Sequence, residues 1–272
     1  MSWNKKRLYM GMTYLLLVCG SVLLIIPLVI AINTAFKPPM EIWYVTKLPS
    51  RLYLDNFKIA IDYTGRGLIN SLLITCPSAL FSVFVGSLAA YPLSMLNSKG
   101  NTAIYFMLMA GMYIPYAAVL IPLFLLIKKI GLYDTIPGLW LVHVAYGIPY
   151  TTLILRSFFT TVPKELSEAA LIDGCGVFGY YWRVMMPVAR TGIATTFILQ
   201  FRGIWNEFLF GLTLTRSPHS IPVTVNLQNL TSLSNALWGP LMAAVLFCIL
   251  PMVVVFLVFK RQFVAGLTGV YK

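Results

Sequence analysis

Charged side chains are scarce in this sequence. They account for 10% of its 272 residues, against about 25% in an average soluble domain. Apolar residues account for 59%, and the mean hydropathy is +0.82. A chain this poor in charge cannot cover a globular surface with polar groups, which excludes an ordinary soluble domain. The composition instead indicates a membrane protein with several spans.

Acidic residues are the scarcer of the two charge types. Asp and Glu number 8 and Lys and Arg number 20, which gives a formal net charge of +12. Such a balance is typical of nucleic-acid-binding proteins when the basic residues gather on one face. Here they are scattered at the ends of apolar runs, so we interpret them as determinants of membrane topology and expect no nucleic-acid partner.

Motifs for a bound cofactor are also absent. The sequence contains no glycine-rich phosphate-binding loop, so this chain is not expected to bind ATP in that manner. Its cysteines show no CxxC spacing, and the histidines His143 and His219 are far apart. We predict no metal site and no cofactor bound by this chain. We also find no nucleophile–base pattern, so no catalytic residues are predicted.

Long apolar runs predict an all-α protein with six transmembrane helices, since each crossing of a bilayer needs about 20 such residues. The first run, 8–36, carries no charge. It exceeds the roughly 7–15 apolar residues of a signal peptide, so it is interpreted as an uncleaved span. A single transmembrane domain is predicted over 1–272, with spans at about 8–32, 67–96, 102–127, 135–156, 191–213 and 237–259.

The distribution of Lys and Arg predicts the orientation in the membrane. Six spans put both termini on one side, and slightly more basic residues fall on the cytoplasmic side when that side holds the termini. The cluster Lys5, Lys6 and Arg7 before the first span agrees with this orientation. The segment at about 157–190 then becomes the largest cytoplasmic loop, and 260–272 becomes a cytoplasmic tail.

The polar loop contains the sequence KELSEAALIDGCGVFGYYWRVMMP, residues 164–187. Pro163 suits the start of a helix and Gly174 suits its end. Ala169 and Ala170 would give this first helix a slim face that a partner could approach closely. A second helix is predicted near 177–186, with Phe178, Trp182, Met185 and Met186 at helical spacing and Pro187 at its end. A surface connector is the alternative, but a docking element explains the length better.

Tyrosines near prolines mark the third and fourth spans. Tyr113, Tyr116, Tyr146 and Tyr150 lie close to such prolines. Kinked helices lined with tyrosine suit a cavity for sugar rings, whereas tyrosines in a membrane protein also form interfacial belts. Both interpretations stay open from the sequence.

The fifth span carries two charges, Arg202 and Glu207. Each costs roughly 2.5–3.5 kcal/mol to place in lipid, so both are expected to face the bundle interior or a water-filled path. One interpretation is a salt bridge to another helix or subunit. The other is that Gln200, Arg202, Asn206 and Glu207 line such a water-filled path.

The motif EAALIDG followed by MMP resembles the EAA loop of ABC importer permeases. The segments AFKPPMEIW, YLDNFKIA, INSLLIT, FRGIWNEFLFGLTL and KRQFVAGLTGVYK are similar to the MalG-like permease subunits of carbohydrate ABC importers. This resemblance extends over nearly the whole chain. It implies the type I importer permease fold in a bacterial cytoplasmic (inner) membrane, and import of oligosaccharides or related sugars by ATP-driven alternating access.

The resemblance also implies which residues meet the partners. The coupling helix would contact the ATPase through Glu168, Ala169, Ala170, Asp173 and Gly174, and the tail would contact it through Gly266, Leu267, Thr268 and Gly269. The implied partners are a homologous MalF-like permease subunit, two cytoplasmic ATPase subunits that bind ATP and Mg, and an extracytoplasmic solute-binding protein, all working at the lipid bilayer.

Three alternatives remain. The same mechanism would serve an importer of glycerol-3-phosphate or a polyol. An ion-coupled secondary transporter should show repeats and carboxylates at broken helices, and only Glu207 fits that description. A membrane-anchored scaffold or enzyme has no motif in its favour.

Overall fold

The computed structural model describes residues 3–96, 98–231 and 237–268, and within these the chain is helical with no strand. Two short irregular helices, the 3-10 turn Pro39–Glu41 and the π-helix Tyr181–Met185, interrupt the α-helices. In chain order the α-helices are α1 Trp3–Ala35, α2 Asp55–Met95, α3 Lys99–Met112, α4 Tyr116–Lys129, α5 Ile136–Phe159, α6 Lys164–Ile172, α7 Val177–Tyr180, α8 Met186–Val188, α9 Arg190–Trp205, α10 Leu209–Leu214, α11 Val223–Thr231 and α12 Trp238–Thr268.

Four stretches of helix are long and apolar enough to cross a membrane: Tyr9–Ala35, Asp55–Met95, Ile136–Phe159 and Trp238–Gln262. Two bent pairs, Lys99–Met112 with Tyr116–Lys129 and Val177–Val188 with Arg190–Trp205, raise the number to six if each pair is one span. The helix α2 has 41 residues. At 1.5 Å per residue it is about 60 Å long, so it extends well beyond a bilayer core of about 30 Å.

The third predicted span differs from the structure. Residues 102–127 were expected to form one helix, but α3 and α4 meet at an angle of 94°. Pro115 precedes α4 with ψ 117 and therefore lies outside the helical region. A proline also disfavours helical geometry at the residue before it, here Ile114. The chain consequently turns at 113–115, and neither half has the length of a full span.

The chain divides into two compact units. The first comprises the described parts of Met1–Gly65 and Leu227–Ile249. Its core is made of small side chains, Ala35, Ala60, Ala243 and Ala244, with Leu230 and Leu241. The buried amide of Asn56 donates to the carbonyl oxygens of Ala35 and Lys37, each at 2.9 Å, which secures the chain as it leaves α1.

The second unit comprises the described parts of Arg66–Asn226 and Leu250–Lys272. In it α2 and α5 approach closely at small residues, as is usual for membrane helices. The hydroxyl of Thr151 on α5 donates to the carbonyl oxygen of Ser82 on α2 at 2.8 Å. A Cβ on Gly86 would lie 2.8 Å from the Thr151 Cβ, so glycine is needed there for the two backbones to meet.

Candidate functional site

The polar loop forms the helix α6, and Gly174 ends it. Gly174 has φ +75, a left-handed conformation that glycine adopts without strain. Its N–H donates to Leu171 O at 3.1 Å, and the N–H of Cys175 donates to Ala170 O at 2.8 Å. This pair of bonds is the Schellman arrangement, which satisfies the last carbonyl groups of the helix. The end of α6 is therefore rigidly defined by one residue.

The five residues expected to meet the ATPase do not share one face. Glu168, Ala169, Asp173 and Gly174 are exposed. Ala170 is only 7% exposed, because it packs in a core cluster with residues of α2 and α5. Neighbouring positions on a helix are about 100° apart, so the slim face predicted from Ala169 and Ala170 together was wrong. Ala170 holds α6 to its own chain.

The segment after α6 differs from the single helix predicted near 177–186. It consists of α7, the π-helix Tyr181–Met185 and α8, and Pro187 lies inside its last turn. Met185 is buried, but Phe178 and Trp182 are exposed. A π-helix has a wider turn than an α-helix, so the predicted spacing does not place these side chains on one face.

Two hydrogen bonds attach this segment to α2. The hydroxyls of Tyr181 and Ser87 lie 2.6 Å apart, and the hydroxyl of Tyr91 donates to Val177 O at 3.1 Å. Tyr181 and Ser87 are both fully buried. This segment is therefore attached to α2 by two hydrogen bonds, beside the largely exposed helix α6.

The predicted tail is the continuation of α12. The span was expected to end at 259, but the helix continues to Thr268. Gly266, Leu267 and Thr268 lie in its last turn, and Gly269 lies outside the described residues.

A cavity of about 680 Å³ opens in the second unit. It lies against α5, the end of α9 and the segment where α9 gives way to α10. The structure gathers there all the predicted pathway residues except one: Tyr116, Tyr146, Tyr150, Gln200, Arg202, Asn206 and Glu207. Tyr113 is 86% exposed at the bend between α3 and α4 and does not line this cavity.

An aromatic cluster forms one wall of the cavity. Phe210 lies at its centre, with ring centroids 5.6 Å from Tyr116, 5.1 Å from Tyr146 and 5.7 Å from His143. Phe210 is buried, whereas the two tyrosines are partly exposed. The wall therefore consists of a buried phenylalanine ring packed against two partly exposed tyrosine rings.

Glu207 is satisfied by backbone groups. Its carboxylate accepts hydrogen bonds from the N–H of Phe210 at 2.8 Å and of Gly211 at 3.3 Å, at the start of α10. Negative charge is favoured at a helix N-terminus. Neither interpretation of Glu207 anticipated this role: the carboxylate holds α10 in place while also lining the cavity.

Gln200 and Gly147 bring three helices together beside the cavity. Gln200 is buried, and its amide donates to the Ser82 hydroxyl at 3.3 Å. Gly147 on α5 lies so close that an added Cβ would be 2.5 Å from Ser82 Oγ. The absence of a side chain at 147 thus allows α2, α5 and α9 to meet.

Sequence reasoning missed His143 and Phe210. His143, Tyr146, Gly147 and Tyr150 all line the cavity. They are spaced i, i+3, i+4 and i+7, which is one face of a helix. This spacing was available in the sequence and would have added His143 to the tyrosines. Phe210 carries no comparable signal.

Asp134 joins the loop before α5 to the loop after α10. Its carboxylate accepts hydrogen bonds from the backbone N–H of Arg216 at 2.7 Å, from that of Ser217 at 2.9 Å, and from the Ser220 hydroxyl. Its own N–H donates to Leu214 O at 2.9 Å. Burial opposes ionisation, but these hydrogen bonds outweigh it and hold the pKa of Asp134 below its usual value.

We expect Asp134→Ala to lower the melting temperature of the detergent-solubilised chain by roughly 2–4 °C, because two backbone donors and a hydroxyl lose their acceptor. A lowered pKa means that the ionised carboxylate stabilises the fold above its unfolded pKa of about 3.9. That contribution is lost as the pH falls through the folded pKa, so the difference between wild type and variant should shrink there. Asp134→Asn keeps one acceptor oxygen, so its melting temperature should lie between those of the wild type and Asp134→Ala. A difference that does not change with pH would contradict this role for the charge.

Comparison with known proteins places the chain in a family. A sequence model of the family "Binding-protein-dependent transport system inner membrane component" matches residues 82–268. The chain belongs to this family. Its members are inner-membrane components of transport systems, in agreement with the apolar spanning helices.

Curated relatives match over most of their length. The diacetylchitobiose uptake system permease protein NgcG of Streptomyces coelicolor is 31% identical, over 97% of this chain and 88% of that protein. The xylose/arabinose import permease protein XacI of Haloferax volcanii is 31% identical, over 89% and 87%. The ABC transporter permease protein YcjP of Escherichia coli is 31% identical, over 99% and 98%. The resemblance to carbohydrate importer permeases is confirmed.

A solved structure shows the same fold. The chain is similar to a chain of a bacterial ABC transporter involved in the import of the acidic polysaccharide alginate, with a TM-score of 0.81 and 20% identity over 97% of this chain and 99% of that one. A structure of a bacterial alginate ABC transporter in complex with an alginate pentasaccharide-bound periplasmic protein gives a TM-score of 0.72 and 17% identity, over 95% and 94%. The predicted all-α fold of an ABC importer permease is confirmed.

Proposed function

We propose that this chain is the permease subunit of an importer for an oligosaccharide or a related sugar. The cavity carries this proposal. It combines accessible tyrosine faces with amide, carboxylate and imidazole groups inside a membrane domain. Aromatic faces suit the C–H surface of a sugar ring, and a few placed polar groups suit its hydroxyls. The names of the relatives from Streptomyces and Haloferax support the same class of solute.

The helix α6 would transmit the movement of the ATPase to this chain. We infer that its exposed positions, Glu168, Ala169, Leu171 and Ile172, dock into an ATPase subunit on the cytoplasmic side. Leu171 and Ile172 are 67% and 86% exposed, which leaves apolar surface for a partner. The chain itself then performs no covalent chemistry, and ATP is hydrolysed on the separate subunit. Closure and opening of the two ATPase subunits would move α6, and the cavity would open alternately to the two sides of the membrane.

The other partners follow from the same proposal. Both termini would lie in the cytoplasm, so that α6 and the end of α12 face the ATPase. A homologous permease subunit would complete the pathway, and an extracytoplasmic binding protein would deliver the solute. The name of the family and the alginate complex with its periplasmic protein support the last of these.

An anionic solute is the second candidate, and Arg202 favours it. This side chain is exposed and lines the cavity. A guanidinium group is well suited to a carboxylate or phosphate. A phosphate ester such as glycerol-3-phosphate, or an acidic sugar, would therefore find a counter-charge in the same cavity.

The test is uptake by the complete importer in proteoliposomes, with its second permease subunit, ATPase and binding protein. Labelled diacetylchitobiose, maltose, xylose, arabinose and glycerol-3-phosphate are offered separately, with and without enclosed ATP. We expect ATP-dependent uptake of one of the four neutral sugars and none of glycerol-3-phosphate. Uptake of glycerol-3-phosphate alone would favour the second candidate. Uptake that follows a proton or sodium gradient without ATP would contradict both.

A further inference from the structure

His143 is a buried polar side chain that faces the cavity. It is 6% exposed and lies on α5 among the lining residues. Its ring meets Phe210 edge to face, at 5.7 Å and 71°. Within the described part of the chain, its backbone carbonyl accepts a hydrogen bond from Ser82, but no group is bonded to its ring nitrogens.

The His143 ring is buried at the edge of the cavity, so a group that enters the cavity can supply a hydrogen bond that the described residues do not. A neutral imidazole has one donor and one acceptor nitrogen, and a protonated one has two donors. A hydroxyl group can pair with either form. A solute rich in hydroxyls that enters the cavity would therefore supply what His143 lacks.

The surroundings of His143 suit a sugar ring. Tyr146 lies one helical turn further along α5 and is 38% exposed, and Tyr116 is 46% exposed. Both rings are held against Phe210, so their orientation is set before a solute arrives. Gln200 adds an amide on the facing helix α9. Ring faces and hydroxyl partners thus occur within one cavity.

We propose that this subunit binds the transported saccharide directly, with His143 as a specificity-determining residue. His143 hydrogen-bonds one hydroxyl of a sugar ring, and that sugar ring stacks on Tyr146. This inference rests on the proposed function as a sugar importer. A site built to bind a hydroxyl discriminates strongly against an analogue that lacks it, because the buried polar group is then left without a partner.

The experiment uses the complete importer in proteoliposomes and the neutral sugar that the wild type takes up in the assay above. Wild type and His143→Phe are compared on that sugar and on each of its monodeoxy analogues, below saturation. The substitution keeps a ring of similar size and removes the hydrogen bond. We expect uptake of the parent sugar to fall roughly tenfold, the value of one such bond. One deoxy analogue should be taken up equally by wild type and variant.

The control is His219→Phe, which changes the other histidine, exposed in the loop after α10, and should leave uptake unchanged. If His143→Phe does not reach the membrane, His143→Leu serves the same comparison. An equal loss for the parent and every analogue, or no loss at all, would overturn direct binding through His143 while leaving the importer function intact. Failure of the wild type to take up any of the neutral sugars would overturn the proposed function and this inference with it.

Discussion

A Gly174→Val variant is expected to lose roughly nine-tenths of the ATP-driven uptake of the wild-type importer. Gly174 has φ +75, and a side chain in left-handed geometry costs about 1–2 kcal/mol, more if it is branched at Cβ. The two hydrogen bonds that end α6 would be lost or displaced, and Glu168, Leu171 and Ile172 would no longer be presented in one orientation. Uptake and sugar-stimulated ATP hydrolysis should fall together, while the amount of chain in the membrane is retained.

Gly176 provides the matched control. It lies two residues further along, has an ordinary φ of −71, and a Cβ there would meet nothing within 4 Å. Gly176→Val should therefore transport normally. If both variants transport alike, the geometry of Gly174 is not what couples α6 to the ATPase. If both are missing from the membrane, the loop serves folding rather than coupling.

A Gly147→Ala variant is expected to be less stable by about 1–3 kcal/mol, the usual range for overpacking a close contact. An added Cβ would meet the Gln200 amide and lie 2.5 Å from Ser82 Oγ and 2.9 Å from Ser82 Cβ. Either α5 moves away from α2 and α9, or Gln200 is displaced from its bond to Ser82. The melting temperature of the solubilised chain should drop by roughly 4–8 °C.

Gly203→Ala tests whether the effect belongs to the helix contact. Gly203 lines the same cavity, but a Cβ there would meet nothing within 4 Å. Alanine also favours helix more than glycine does, by about 1 kcal/mol, so this variant should be as stable as the wild type or slightly more so. Equal losses from both substitutions would show that any alanine in the cavity is harmful and would contradict the contact described at Gly147.

Some features were predictable because they depend on local chemistry. Transfer of an apolar run to lipid is a property of that run alone, so the four long apolar helices were recognised from hydropathy. The end of α6 was predictable because a left-handed residue favours glycine wherever it occurs. Arg202 and Glu207 were expected to lie away from lipid because charged groups have a high free energy there, and both line the cavity.

Other features depend on contacts between distant residues and were missed. Ala170 was assigned to the partner-facing side of α6, but α2 and α5 bury it. The tyrosines were similar in the sequence, yet only Tyr113 of the four lies outside the cavity, because the chain turns at 113–115. Glu207 lines the cavity, but its hydrogen bonds to the backbone at the start of α10 were not foreseen.

By itself the sequence determined the class of protein, most of its apolar helices and the end of α6, since hydropathy and glycine geometry act over a few neighbouring residues. Tertiary structure alone decided which side chains share the cavity. That choice depends on how closely α2, α5 and α9 approach at Gly147 and on where the helices break, and both depend on packing between residues far apart in the chain. His143 shows the difference: in the sequence it is an isolated histidine, and in the structure it is a buried side chain beside Phe210 at the cavity.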